Sequence, residues 1–148
     1  MITLTSDNRF SPDYTPRQMF SLGVFGGSYF RPIFSSIVNL EISKDYCEFA
    51  WTQQMPLHYL CSPSYDSSIN HFGVSCGSTL EIWESKDWIT AYDPRGWVQW
   101  YCRYHQGRRT KDDNRQILRW LGVKSRFGQR KNPSNKIKQV LLHWAIKI

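Results

Sequence analysis

Residues 93–121 read DPRGWVQWYCRYHQGRRTKDDNRQILRWL. How this stretch folds decides the architecture. Trp97, Trp100, Tyr101 and Tyr104 fall at i, i+3, i+4 and i+7, so an α-helix gathers all four rings on one face. The expected bounds are 94 to 106. Asp93 can cap the helix, Pro94 suits the first helical position, where its missing N–H would have had no partner, and Gly107 ends it. A second helix is expected over 111 to 121. Thr110 caps it, Asp112 and Asp113 meet the positive end of the helix dipole, and Ile117, Leu118, Trp120 and Leu121 form its apolar side. Gly122 reads as a stop or kink, and the pair of helices as an αα-hairpin.

Working outward, Lys131-Asn132-Pro133-Ser134 is a loop before a helix over about 135 to 146, in which Ile137, Val140, Leu141 and Trp144 repeat the helical spacing and dock on the core. Towards the N-terminus, Ser78 and Glu81 fit a capping box that opens a short helix over 79 to 86. The serine- and proline-containing run 62–68 is an irregular connection. Alternation at Val38, Leu40 and Ile42 predicts a short strand, and Lys44 to Trp51 one or two helical turns. Thr15-Pro16 marks another helix start, with Gly23 as a left-handed stop, and Gly26-Gly27 requires a tight turn. The expected fold is mainly α: a single compact domain, residues 1–148, of about five helices with a short strand or irregular N-terminal cover.

The 148 residues carry 19 Lys+Arg and 12 Asp+Glu, a net charge of +7. That charge is uneven. Residues 1–113 hold 10 basic and 12 acidic side chains, whereas 114–148 hold 9 basic and none acidic. No window approaches the ~18 apolar residues a membrane-spanning helix requires, and MITLTSDNRF does not read as a secretory signal. Twenty-three aromatic residues exclude a disordered chain. Cys47, Cys61, Cys76 and Cys102 form no C-x-x-C pair, so reduced thiols and an intracellular, soluble setting (cytoplasmic or nuclear) are expected.

The strings DPRGWVQWYCRYHQGRR and DDNRQILRW, with Asn70-His71-Phe72-Gly73-Val74 and Lys86-Asp87-Trp88-Ile89 before them, resemble the core of a recurrent family of small proteins of unassigned function. The resemblance covers about two thirds of the chain and implies a shared fold. It implies no activity, cofactor or partner. His71 and Asp87 depart from the family pattern, which has Tyr and Gly there.

Chemistry must therefore come from the residues. Arg103, Arg108, Arg109, Arg115 and Arg119 cluster about one turn, and Lys124, Arg126, Arg130 and Lys131 follow. Cations for phosphate beside flat rings for bases suit single-stranded nucleic acid or another anionic polymer. A groove-reading helix-turn-helix is disfavoured, because Asp112 and Asp113 stand where phosphates would approach. An alternative is a small enzyme on a phosphate- or carboxylate-bearing substrate, with Arg108 and Arg109 as anion clamp and His105, Asp112 or Asp113 moving protons. The bland reading gives the carboxylates to capping and arginine pairing. His58, Cys61, His71 and Cys76 have ligand types for zinc but match no standard finger spacing, so no metal or other cofactor is expected. At least one tryptophan ring is expected to be exposed, that of Trp97, which Asp93-to-Trp97 places near the start of its helix and close to the Lys86-Asp87-Trp88 turn.

Overall fold

The computed structural model describes residues 7–76, 80–127 and 131–147. Among these, five α-helices and one two-stranded sheet are formed: α1 (Pro16–Ser21), β1 (Ile33–Ser35), β2 (Leu40–Ile42), α2 (Leu80–Ser85), α3 (Trp97–His105), α4 (Asp113–Phe127) and α5 (Asn135–His143). The mainly α expectation holds. Short 3-10 turns at Asp45–Glu48, Ala50–Gln54, Leu57–Tyr59 and Ser67–Ile69 carry the chain between β2 and α2.

Local chemistry sets most helix starts. Thr15 accepts from the Gln18 N–H while the Gln18 side chain returns to the Thr15 N–H, and Ser134 accepts from the Ile137 N–H. Thr110 behaves as expected: its hydroxyl accepts from the Asp112 N–H, and Asp113 accepts from the Thr110 N–H at 3.0 Å. The Ser78 capping box lies outside the described residues. β1 and β2 form an antiparallel hairpin, Ile33 opposite Ile42, where a lone strand was expected.

Two expectations fail for physical reasons. Asp93 does not cap α3. Its fully buried carboxylate accepts from Arg103 (3.1 Å) and Arg108 (2.6 Å), and α3 begins only at Trp97. Gly96, at φ 98° and ψ −157°, blocks extension backwards in a conformation open to glycine alone. The Gln99 side chain accepts from the Arg95 N–H (2.9 Å) in place of a cap. Gly122 does not stop α4, which runs on to Phe127.

The aromatic face of α3 is buried against α1, α4 and α5, with Met19, Phe20, Ile117, Trp120 and Leu141. Phe10 inserts its ring among Trp97, Trp100, Tyr101, Tyr104 and Trp120, with centroids 5.1–6.0 Å away. Buried indoles need N–H acceptors, and these tie the elements together. Trp97 donates to the Gln116 carbonyl, Trp100 to Asp113 (2.8 Å) and Trp120 to the Trp144 carbonyl (2.9 Å).

The N-terminal half is fastened to α3 by one buried network. Arg95, 2% exposed, makes a bidentate pair with Asp45 (2.7 and 2.9 Å) and donates to the Tyr29 carbonyl (2.7 Å). The Tyr29 hydroxyl donates to the Arg95 carbonyl and accepts from the Gln99 N–H, both at 2.8 Å. The glycine turn packs as tightly: a Cβ on Gly27 would stand 1.9 Å from the His58 carbonyl oxygen. The close approach there is to the chain itself.

Candidate functional site

The arginines singled out in the sequence divide into two groups. Arg103 pairs with Glu48 (2.8 Å) and Asp93, Arg108 with Asp93, and Arg115 with Asp112 (2.6 Å). These three brace the scaffold. Arg109 lies over the Tyr104 ring, 3.7 Å from its centroid, and donates to the Tyr104 carbonyl. Arg119 differs from the bracing arginines: among the described residues it donates to the Gln116 side-chain oxygen (2.8 Å) and the Trp88 carbonyl (3.3 Å) and to no carboxylate. Burial and the neighbouring Arg115 lower its pKa to about 10, so it is still a cation at neutral pH.

The Arg108-to-Asp113 turn closes the α3–α4 hairpin. Asp112 accepts from Arg115 and from the Gln116 side chain, and Asp113 from the Trp100 indole and the Thr110 N–H. His105 is exposed, its ring edge-on to Tyr101. Arg109, Lys111 and Asp113 line a shallow depression of about 420 Å³ with Asp7 and Tyr104. The bonds of both carboxylates are thus those of capping and side-chain pairing.

The four cysteine and histidine candidates are not gathered. His58 and His71 are exposed beside the rings of Tyr59 and Phe72, and Cys61 contacts Tyr46. Cys76 instead meets a residue sequence reasoning passed over, His143, 67 positions away. Among the described residues no three His, Cys, Asp or Glu side chains come together as metal ligands would.

α4 carries three arginines on one side, Arg126 exposed and Arg115 and Arg119 partly buried. At ~100° per residue, Arg115, Arg119 and Arg126 fall within about 40° of one another and span roughly 16 Å of the axis. Lys124 turns the other way and lies over Trp120 (4.9 Å). Lys131 is exposed; Arg130 lies outside the described residues. Where the stripe meets the turn after α2, Trp88 is 37% exposed. Lys86 stands 5.2 Å and Arg119 5.9 Å from its ring centroid, and Arg119 also lies 5.4 Å from the Trp144 ring. Behind Trp88 opens a cavity of about 280 Å³, walled by Trp83, Trp97, Trp144 and Ile89, with Arg119 and Arg95 as its cations.

A second cavity, about 400 Å³, shares Phe25, Tyr29, Trp83 and Arg95 with the first and holds Cys76, Arg31 and Lys136. Among the described residues neither cavity is lined by a carboxylate. His143 is 5% exposed beneath Phe25, whose ring stacks on it at 4.1 Å. Its Nε2 faces two donors, the Phe25 N–H (3.1 Å) and the Gln139 side chain (3.0 Å), so the ring proton sits on Nδ1, directed at the Cys76 sulfur 3.8 Å away. Burial lowers the His143 pKa to about 3. It raises that of Cys76, against the opposing pull of Tyr65 and Lys136.

In the described residues no helix is long and apolar enough to cross a membrane. No protein-family profile matches the chain, and neither a curated protein nor a solved structure shows significant similarity to it.

Proposed function

We propose that the protein binds single-stranded nucleic acid, or a similar anionic polymer with flat units, on the face formed by Trp88 and the Arg115–Arg119–Arg126 side of α4. The observation that carries this reading is an exposed indole, Trp88, flanked by Lys86 and by Arg119, which bonds to no carboxylate among the described residues. An indole supplies a stacking surface worth ~1–3 kcal/mol per base, and the neighbouring cations supply the phosphate attraction. Because Arg103, Arg108 and Arg115 are already paired, the contacting set is smaller than the sequence suggested: Trp88, Arg119, Arg126 and, beyond the end of α4, Lys131.

The test is a fluorescence-anisotropy titration of a labelled single-stranded pyrimidine oligonucleotide over a series of salt concentrations. The reading expects affinity that falls steadily as salt rises. Trp88→Ala and Arg119→Met should each weaken binding by about tenfold, the size of one lost stack or phosphate contact. Binding that is absent at low salt, or that both variants retain in full, would overturn it.

A further inference from the structure

The cavity under α2 is a separate feature with chemistry of its own. Its lining combines the aromatic rings of Phe25, Tyr29 and Trp83 with the cations Arg31 and Lys136. Arg31 donates to the Ser28 carbonyl at 3.1 Å and forms no ion pair among the described residues. Lys136 is exposed on the first turn of α5. With no carboxylate among the described residues of the lining, the field inside favours negative charge, and low-dielectric walls strengthen it. The floor is ordered: Tyr65 accepts from Asn70 (2.7 Å) and donates to the Val74 carbonyl (3.2 Å), which holds the 70–76 loop and its Cys76 against His143.

We propose that this cavity is a binding site for a small organic anion: one carboxylate or phosphate group between Arg31 and Lys136, on an apolar or aromatic body that packs against Trp83 and Phe25. A volume of about 400 Å³ is in the range of small-ligand pockets and too small for a polymer. The site is independent of the nucleic-acid face. It uses neither Trp88 nor Arg119.

Cys76 serves as a built-in reporter. Its sulfur attacks the methylene carbon of iodoacetate or iodoacetamide, the C–S bond forms as the C–I bond breaks, iodide leaves, and the thiol proton goes to solvent. The two reagents differ chiefly in charge, so the ratio of their rates cancels the thiol's own ionisation and reads the preference of the cavity. Mass spectrometry of the whole protein, followed by peptide mapping, gives both rates at Cys76, with N-acetylcysteinamide as the reference thiol.

At low salt the iodoacetate-to-iodoacetamide ratio at Cys76 should exceed the reference about fivefold or more. It should fall to the reference value in the Arg31→Met/Lys136→Met double variant and drop substantially in Lys136→Glu, which changes only an exposed side chain. Phenyl phosphate should slow both alkylations saturably, where phenol does not, and Trp88→Ala should leave that protection intact. A ratio at or below the reference, a ratio the charge variants do not move, or a Cys76 that neither reagent reaches would each overturn the site.

Discussion

Asp93 shows how much one side chain can hold. Its carboxylate is fully buried and is shared by Arg103 and Arg108, so the residue that looks like a helix cap is the hub through which α3 and the arginine turn are joined. Removing its charge leaves two half-buried guanidinium groups facing a neutral amide, a change that costs on the order of 3 kcal/mol. Asp93→Asn should therefore lower the urea midpoint markedly without changing its slope; an unchanged midpoint would mean the pairs are dispensable. The motif that looks richest in chemistry, DPRGWVQWY, is in fact consumed by the scaffold. Arg95 pairs with Asp45, Gln99 caps Arg95, and Trp97 and Trp100 donate to α4. No spacing in the sequence announces Cys76 with His143, because the contact joins a loop to a helix that begins nearly 60 positions later. The exposed ring is not the one the sequence points to: Trp97 is only 5% exposed, because α3 turns its whole aromatic face to the core, and the ring that emerges is that of Trp88 in the neighbouring charged turn.

At the scale of elements, the helices that were legible are those whose start is written in adjacent residues: Thr15-Pro16, Thr110 to Asp113 and Ser134. Those read incorrectly were settled by tertiary demands. Asp93 turns to two arginines, and Gly122 continues α4 because the flanking Ile117, Trp120, Leu121 and Val123 still pack on the core. Gly122 is exposed, and a Cβ there would meet nothing within 4 Å. Gly122→Ala should then stabilise the protein by about 0.5–1 kcal/mol, the difference in helix propensity, read from thermal unfolding. A loss of stability on that substitution would show that the glycine has a packing role the geometry does not contain. The run of 3-10 turns across 45–69 left no periodic signal, since each is too short to display a face.

For the whole molecule, the central acid-sensitive group is His143. Its pKa falls from 6.5 in the unfolded chain to about 3 when folded, because the buried ring is held neutral. The unfolded state therefore binds a proton the folded state refuses as pH drops below 6.5, and stability contributed above that pH is lost progressively on the way down to about 3. The loss reaches ~2 kcal/mol by pH 5, before most carboxylates titrate. Urea unfolding at pH 7 and pH 5 should show that drop, and His143→Gln should flatten it while being less stable at pH 7. A wild-type midpoint that does not move over this window would contradict the assignment.

The indole cluster has a further consequence, for how the protein looks in polarised light. Trp97 lies 5.7 Å from Trp100 and 4.8 Å from Trp144, centroid to centroid, at mutual tilts of 45° and 41°. Chromophores so close and so inclined share their excited states and produce a paired positive and negative band in the far-ultraviolet circular dichroism, where peptide signals are usually read. Helix content taken from that spectrum will be misjudged, and the Trp97–Trp144 part of the couplet will vanish when α5 leaves α3, giving a native optical reporter of core assembly that needs no label.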